Sequence, residues 1–295
     1  TDLAWNPEFL REGFAIEDTL NPNRLVVGVT NEKAEGILRE VYAKSLKEDT
    51  PWVVADLPTA ELVKVAANSF LATKISFINA MAEICEAAGG DVTVLAKAIG
   101  YDPRIGSRFL QAGIGFGGGC LPKDIRAFMA RAQELGADHA LEFLREVDSI
   151  NIRARTRMID LVRKDLSQDL RGKKIAVLGA AFKPDSDDVR DSPALDIAVQ
   201  LQGAGATVTV HDPKAIENAR NRFPVLRFSE SVAGCVQGAE LVLHLTEWKI
   251  YREIDPSELI KLVAQPTIID GRNALDREKW QQAGWKFRAL GRTQN

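Results

Sequence analysis

Five glycines, a cysteine, a proline and two charged residues are crowded into residues 113–124. Glycine allows positive φ angles and close backbone approach, so this density predicts a loop shaped around another group. The residues from Pro122 to Leu135 predict a helix, because proline suits a first helical turn. Cys120 would then stand at the helix N-terminus, where the helix dipole, free N–H groups and nearby Lys123 favour a thiolate. We interpret Cys120 as a nucleophile; the alternative is a buried, inert cysteine.

Other polar residues stand where they could act on a ligand, although each also fits an ordinary solvated surface. Pro7 favours extended backbone before it. This places Glu8 and Glu12 in a loop at the C-terminal end of a strand, where open α/β sheets bind ligands. Lys64 and Asn68 are four residues apart in a predicted helix and therefore share one face. We expect that pair to matter only if its face meets the glycine-rich loop.

The composition argues against several classes of function. At 295 residues the chain is long enough for two domains, and its 27% of charged residues is ordinary for a globular protein. A net charge of -3 gives no electrostatic footprint for nucleic acid or an anionic membrane. The three cysteines and three histidines are scattered, so neither a disulfide framework nor a metal site is expected. No apolar run is long enough to span a bilayer, and we expect a reduced, cytoplasmic protein.

The N-terminal region, residues 1–57, predicts one strand–helix–strand unit of a parallel sheet. The strands are expected over residues 24–30 and 51–55, and the helix over residues 32–45. One such unit is too small to be a sheet domain. We therefore expect this region to be the remnant of a larger domain in a longer, truncated protein.

The middle region, residues 58–168, predicts a helical domain. Its helices are expected over residues 59–88, 91–100, 122–135 and 138–166. The first helix has apolar residues around most of its circumference, so much of its surface must be covered. This indicates a subunit interface.

The C-terminal region, residues 169–295, predicts alternating strands and helices, the pattern of a doubly wound nucleotide-binding sheet. Its first turn retains only Gly179 of a G-x-G-x-x-G motif, so a nucleotide or diphosphate held by Lys183 and Arg190 is favoured over a whole NAD. Alternatively, these cations neutralise the aspartates around them. Arg272 follows a strand end and is placed to reach a ligand. Residues 175–182 are expected to form a buried strand that runs into a turn, and further strands are expected over residues 207–211, 241–245 and 267–269.

Five motifs occur in an order and spacing that resembles the UDP-glucose 6-dehydrogenases of the nucleotide-sugar dehydrogenase family. They are Asn6–Gly13, Lys64-x3-Asn68, Gly115–Asp124, the segment from Phe182-Lys183 to Arg190, and Asp270-Gly-Arg272. The resemblance extends over essentially the whole chain, although almost all of the family's N-terminal NAD-binding Rossmann domain is absent. It implies an α/β protein in which a remnant of that domain precedes a helical dimerisation domain and a C-terminal Rossmann-like, UDP-sugar-binding domain.

The resemblance also implies a reaction. The primary alcohol at C6 of the glucose would be oxidised twice to a carboxylate with two NAD⁺, the second oxidation passing through a thiohemiacetal and a thioester on Cys120. Lys64, helped by Asn68, would stabilise the developing alkoxide. Asp124 and Glu8 would handle water and proton transfer.

The remaining matches are to binding residues and subunit contacts. Lys123 and Arg190 match NAD contacts, and Arg104 matches an arginine that reaches into the neighbouring subunit's site. A homodimer through the helical domain is implied, with UDP-glucose or a related nucleotide sugar as partner. The substrate-binding matches are Phe9, Leu10, Glu12, Arg104, Phe109, Leu110, Gln111, Ala112, Gly113, Phe116, Gly117, Phe182, Lys183 and Arg272.

Two alternatives stay open at this point. A sister enzyme acting on GDP-mannose or UDP-N-acetylmannosamine would use the same Cys120, Lys64 and Asp124. A protein of another class, a non-catalytic nucleotide-sugar-binding and dimerisation module, would neither bind NAD nor turn over substrate. A non-catalytic scaffold would have no reason to carry a reactive thiol. The chain as given is expected to bind UDP-sugar and to be inactive without its NAD domain.

Overall fold

The computed structural model describes residues 2–46 and 49–293. The chain divides into two compact units, one extending to Phe70 and the other starting at Leu71. Among the residues described, no helix combines the length and the apolar character that crossing a membrane requires.

The first unit is built on a three-stranded sheet with β2 at its centre, antiparallel to β1 and parallel to β3. The predicted strand–helix–strand unit is therefore present. Its helix begins where Asn31 Oδ1 accepts the N–H of Ala34, and it ends at Val41, earlier than expected. The elements are β1 (Ala4–Trp5), α1 (Ala15–Leu20), β2 (Leu25–Val29), α2 (Glu32–Val41), β3 (Trp52–Ala55) and the start of α3 (Leu57–Ala88).

The second unit starts with a helical region. It contains the rest of α3, then α4 (Val92–Gly100), α5 (Leu121–Glu134) and α6 (Phe143–Asp165). Helix α4 begins as predicted after Asp91, whose carboxylate accepts the N–H of Thr93. The single helix expected over residues 138–166 is divided, because a 3₁₀ turn precedes α6. This turn lets Leu141 pack with Leu144 against the core that α5 shares.

The rest of the second unit is a six-stranded parallel sheet in the order β6-β5-β4-β7-β8-β9. The strands are β4 (Lys174–Leu178), β5 (Thr207–His211), β6 (Arg227–Phe228), β7 (Leu241–His244), β8 (Thr267–Asp270) and β9 (Lys286–Ala289). The helices are α7 (Pro193–Gly203), α8 (Ile216–Arg222), α9 (Val232–Val236), α10 (Lys249–Arg252), α11 (Pro256–Leu259) and α12 (Arg277–Gln282).

The strand order identifies where this sheet should bind a ligand. From β4 the chain adds strands to one side, and from β7 it adds them to the other, so the winding reverses between these two neighbours. In doubly wound sheets the ligand crevice lies beyond the carboxyl ends of the strands at such a reversal. The predicted doubly wound domain is therefore confirmed, and a ligand crevice of this sheet is expected at the segments after β4, β7 and β8.

Two sets of contacts fasten the sheet to the helical region. Asp165, at the end of α6, is 1% exposed and pairs with both Lys286 and Arg288 of β9, at 2.8 and 2.9 Å. Beyond β9, the N–H of Gly291 donates to Glu86 Oε1 of α3 at 2.6 Å. The last strand is thus tied to helices at both of its ends.

Candidate active site

The Cys120 loop, residues 113–120, is held at its start by hydrogen bonds to its backbone. The N–H of Gly113 donates to Asn79 Oδ1 of α3 at 2.8 Å. The N–H of Ile114 donates to the carbonyl of Gly271, just after β8, at 3.0 Å. The loop therefore lies between the helical region and the C-terminal edge of the sheet.

Helix α6 holds the middle of the Cys120 loop. The N–H of Phe116 donates to Asn151 Oδ1 at 2.7 Å, and Asn151 Nδ2 donates back to the carbonyl of Phe116 at 3.1 Å. One turn further along, the guanidinium of Arg155 donates to the same carbonyl at 3.2 Å. Sequence reasoning missed Asn151 and Arg155, although two polar residues four apart on a helix with an apolar face were a usable signal.

Two glycines of the loop are required by the close approach of other protein groups. Gly115 has φ +88°, and a Cβ there would lie 2.3 Å from Asn151 Oδ1. A Cβ on Gly117 would lie 2.1 Å from the carbonyl oxygen of Asp191. The loop is thus shaped around another group, as predicted. At these two positions that group is the protein's own Asn151 side chain and the backbone carbonyl of Asp191.

Cys120 is exposed and lies immediately before α5, with Pro122 in the first turn. The alternative of a buried cysteine therefore does not hold for it, while its reactivity stays a prediction. Asp124, one turn further on, is 9% exposed, and its N–H donates to the carbonyl of Cys120 at 2.8 Å. Lys123 Nζ lies 3.4 Å from Asp124 Oδ1. The structure thus groups a thiol, a carboxylate and an ammonium at one helix N-terminus.

Arg272 connects the loop to the ends of two strands. Its guanidinium donates to the carbonyls of Leu245 and Gly115, each at 2.8 Å, and to that of Phe182 at 3.3 Å. Burial lowers the pKa of Arg272, while the carboxylates of Glu247 and Asp270 oppose that shift. The side chain predicted to reach a ligand therefore already joins the segments after β4 and β7 to the Cys120 loop.

Asp270 fixes the turn that carries Arg272. Its two carboxylate oxygens accept the N–H groups of Arg272, Ala274 and Leu275, at 2.8 to 2.9 Å, and His244 Nδ1 lies 2.8 Å away. Burial by itself would raise the pKa of Asp270, but His244 and the backbone donors hold that pKa below its usual range. Asp270 therefore stabilises the backbone from which Arg272 extends.

The segment after β4 carries three of the predicted residues. A Cβ on Gly118 would lie 2.7 Å from the ring of Phe182, so this ring packs on the Cys120 loop. Lys183 Nζ lies 5.6 Å from the centroid of the same ring. Arg190 pairs with Asp188 at 2.7 Å, as the alternative of charge neutralisation expected, and its guanidinium also packs on Gly119.

A cavity of about 310 Å³ lies beside the start of the Cys120 loop. The residues that line it include Leu110, Gln111, Ala112 and Arg272, all predicted substrate contacts, together with Lys97 of α4. The other lining residues are Val92, Thr93, Ala96, Ser107 and Asn273. The structure therefore brings together several residues that are separated by more than half of the chain.

Phe109 and Arg104 lie before the loop. Phe109 is exposed and has φ +64°, an uncommon conformation for a residue with a large side chain. The side chain of Arg104 is 87% exposed and pairs with Asp102 at 2.6 Å, within its own turn. Within its own subunit, Arg104 thus points to solvent, where a ligand or another subunit could reach it.

The first unit contains its own cluster of predicted residues. Lys64 Nζ lies 3.0 Å from Glu8 Oε1 and 5.5 Å from the ring centroid of Phe9. The other oxygen of Glu8 accepts the N–H of Leu10 at 2.7 Å, and a cavity of about 190 Å³ adjoins residues 6–10. Of the remaining predicted residues here, Asn68 is buried and Glu12 is half-buried.

Comparison with known proteins adds the family to this geometry. Residues 58–153 match the central domain of the UDP-glucose/GDP-mannose dehydrogenase family, residues 176–277 its UDP binding domain, and residues 1–46 its NAD binding domain. The chain belongs to the UDP-glucose/GDP-mannose dehydrogenase family. The resemblance noted in the sequence is thereby confirmed, and the matched ranges fall within the three predicted domains, whose boundaries stay predictions.

Individual members of this dehydrogenase family are similar to the chain over nearly its whole length. A UDP-glucose 6-dehydrogenase of Rickettsia felis is 43% identical over 294 residues, which cover 98% of this chain and 65% of the relative. A UDP-glucose dehydrogenase structure from Pyrobaculum islandicum is 36% identical with a TM-score of 0.88, covering 99% of this chain and 64% of that one. A UDP-D-ManNAc dehydrogenase structure from Pyrococcus horikoshii is 26% identical with a TM-score of 0.83, covering 99% and 65%. The chain thus spans slightly less than two thirds of each.

Within residues 2–46 and 49–293, no group of three or more His, Cys, Asp and Glu side chains could hold a metal ion.

We predict that Gly115→Ala destabilises the second unit by about 1–3 kcal/mol or more, the usual cost of overpacking. The added methyl would enter the space of Asn151 Oδ1 while the backbone keeps φ +88°. The midpoint of chemical denaturation measures this change. Gly203→Ala is the matched control: Gly203 ends α7 with open space around it, so about 0.5–1 kcal/mol of stabilisation is expected there. Equal midpoints for the two variants would contradict the prediction.

Proposed function

We propose that the protein acts in the NAD-dependent oxidation of a UDP-sugar, UDP-glucose, at its primary alcohol to give the carboxylate. The observation that carries this proposal is the exposed Cys120 at the start of α5. Its loop is joined by Arg272 to the strand ends where a doubly wound sheet binds ligands. The proposal is supported by relatives named UDP-glucose 6-dehydrogenase or UDP-glucose dehydrogenase and by the matching family domains.

The nucleotide is proposed to bind at the C-terminal edge of the sheet. Arg272 holds its guanidinium between three carbonyls and keeps N–H groups beyond those it uses, since a guanidinium has five. Lys183, on the segment after β4, supplies a second cation for a diphosphate. The cavity beside Gln111 and Ala112 offers backbone groups and apolar surface to a base or ribose.

Cys120 is proposed to carry the second oxidation. Its thiolate adds to the carbonyl carbon of the sugar aldehyde, forming a C–S bond as the carbonyl oxygen takes a proton. The thiohemiacetal would become a thioester by losing a hydride from this carbon and the proton of its hydroxyl, a two-electron oxidation for which NAD⁺ would be the acceptor. Water then adds to the thioester carbonyl and the C–S bond breaks, which releases the carboxylate and restores the thiolate. Asp124, on the same helix turn, is the group we assign to the proton of that water.

Lys123 and Arg190 are the residues of this chain proposed to hold NAD. Lys123 and Arg190 have side chains 71% and 62% exposed, near the N-terminus of α5, and their charge suits a diphosphate. Residues 1–70 contain no glycine-rich turn of the kind that holds a dinucleotide; their glycines are Gly13, Gly28 and Gly36. NAD, when bound, supplies the hydride acceptor, and we assign no further geometry to it.

The cluster in the first unit is proposed to act on the same chemistry, as its family match implies. Lys64 offers a cation to developing alkoxide charge, and Glu8, 3.0 Å from it, offers a carboxylate for proton transfer. Asn68 stands one turn from Lys64 on α3. Phe9, Leu10 and Glu12 are proposed to shape the sugar-binding side of this loop.

We predict that UDP-glucose stabilises the 295-residue chain and that Arg272→Lys loses this effect. A ligand at a hundred times its Kd adds about 2.7 kcal/mol to the stability of the folded state, and a lysine cannot reproduce the planar fork of arginine. The shift of the thermal midpoint with ligand measures the effect. Arg277→Lys, on α12 in the same unit, should keep the wild-type shift. A larger shift with GDP-mannose or UDP-N-acetylmannosamine would favour the sister activities instead.

We predict that the 295-residue chain forms no NADH from UDP-glucose and NAD⁺, because its first 70 residues lack the glycine-rich turn that holds a dinucleotide. An absorbance assay for NADH measures this. NADH above that of the same reaction without UDP-glucose would show that the chain is active as it stands. Nucleotide-sugar binding with an unreactive Cys120 would favour the non-catalytic module.

The homodimer is proposed to form through α3. Phe77 and Ile84 are seven residues apart, so they share one helix face, and they are 49% and 60% exposed. We predict that Phe77→Glu converts a dimer into a monomer in sedimentation equilibrium, because it buries a charge in the interface. Val225→Glu, a change at an apolar residue outside α3 that is 62% exposed, should leave the dimer intact. A wild-type monomer, or a dimer in both variants, would contradict the proposal.

A further inference from the structure

Two buried polar side chains of α6 have no part in the proposed chemistry and yet bind one residue of the Cys120 loop. Asn151 is 1% exposed and Arg155 is 6% exposed. They stand four residues apart, so both face the same side of the helix. Each one is hydrogen-bonded to Phe116, four residues before Cys120.

Asn151 matches both polar groups of the Phe116 backbone. Its Oδ1 accepts the N–H at 2.7 Å and its Nδ2 donates to the C=O at 3.1 Å. These two hydrogen bonds need a side chain of this length that both donates and accepts. Aspartate can only accept, and leucine can do neither. The neighbouring Gly115 leaves the space that this amide occupies, because a Cβ there would lie 2.3 Å from Oδ1.

Arg155 joins the same backbone to the segment after β4. It donates to the carbonyl of Phe116 at 3.2 Å, and its other terminal nitrogen lies 3.1 Å from both Asp191 Oδ1 and Asp196 Oδ2. The carbonyl of Asp191 in turn closes over Gly117. Phe116 is therefore held between α6 and the residues that lead into α7.

We propose that Asn151 and Arg155 are positioning residues that fix the backbone of the Cys120 loop and thereby hold the Cys120 sulfur at the N-terminus of α5. This inference rests on the proposed function. Glycine-rich backbone has the largest conformational freedom to lose on ordering, so a loop of this composition keeps one conformation only where its polar groups are bound. Cys120 is already exposed, so loosening the loop cannot act by admitting a reagent. It acts by separating the sulfur from the helix dipole.

The test is the rate at which iodoacetamide alkylates Cys120, located by peptide mass, in the 295-residue chain. Cys85 and Cys235 report on folding in the same sample, because both are buried. Burial raises the pKa of Cys85, and it raises the pKa of Cys235 to about 12. In a folded variant, only Cys120 should react.

Asn151→Leu and Arg155→Gln are expected to slow alkylation of Cys120 about fivefold, the factor that one net hydrogen bond corresponds to. Arg157→Gln is the matched control, since Arg157 lies on the same helix and pairs with Glu86 away from the loop. It should react at the wild-type rate. Ser76→Ala removes another buried hydrogen bond to α6, at 2.7 Å to the carbonyl of Val147, and should also leave the rate unchanged.

Arg155→Lys separates positioning from stability. Its ammonium keeps the charge opposite Asp191 and Asp196, so the thermal midpoint should recover toward that of the wild type. A single ammonium cannot also bind the carbonyl of Phe116 in the same geometry, so the alkylation rate should stay low. If Asn151→Leu or Arg155→Gln unfolds the protein enough to expose Cys85 or Cys235, the alkylation rate of Arg155→Lys decides the test instead.

Wild-type rates in every folded variant would overturn the inference, because the loop would then hold Cys120 without Asn151 and Arg155. The proposed function fails separately, on the wild-type protein alone, if Cys120 reacts no faster than an exposed cysteine in a peptide. Hydrogen exchange at the amide of Phe116 gives a second reading that does not depend on thiol chemistry. Exchange there should be faster in Asn151→Leu than in Arg157→Gln, and equal exchange would also overturn the inference.

Discussion

The buried guanidinium of Arg272 is the interaction on which the arrangement of this protein's site depends. A cation taken out of water is stable only where its N–H groups are bound, and here the acceptors are carbonyls of three separate segments. Those segments follow β4, follow β7 and enter the Cys120 loop. A movement of any one of them would remove one of the acceptors of the guanidinium. The geometry of the loop is therefore coupled to that of the sheet.

The sequence alone does not show why glycine is required in the loop next to this cation. A glycine-rich run before a helix is commonly interpreted as a phosphate-binding loop, since bare backbone can approach an anion. At Gly115 and Gly117 the missing side chains instead admit Asn151 and the carbonyl of Asp191. The run is required for packing at these positions, whatever else the loop binds. A motif can thus be correctly recognised while its physical reason lies in another part of the chain.

Most of the fold could be predicted from the sequence because its signals are local. Asp91 starts α4, Pro122 lies in the first turn of α5, and the apolar runs that became β4, β5, β7 and β8 stand where expected. The division between the 3₁₀ turn and α6 was missed because it follows from core packing around Leu144 rather than from a helix-breaking residue.

The candidate site was predicted less completely, because its contacts join residues far apart in the chain. Arg272 and Gly115 are separated by 157 positions, and Asn151 and Phe116 by 35. No pattern of spacing indicates such pairs. Arg190 shows a different difficulty, since it both matches a ligand contact and pairs with Asp188. An ion pair with an exposed partner contributes little to stability, so the pairing does not prevent Arg190 from turning to a ligand.

The chain that follows β9 acts on the cavity beside the Cys120 loop. The N–H of Gly291 is bound to Glu86 and its carbonyl accepts the N–H of Val92, which itself lines that cavity. Arg292 adds an ion pair to Asp91 at 3.0 Å, on the residue that starts α4. A substitution at Gly291 would therefore disturb the cavity wall although Gly291 does not line the cavity, since a Cβ there would lie 2.5 Å from the side chain of Val92.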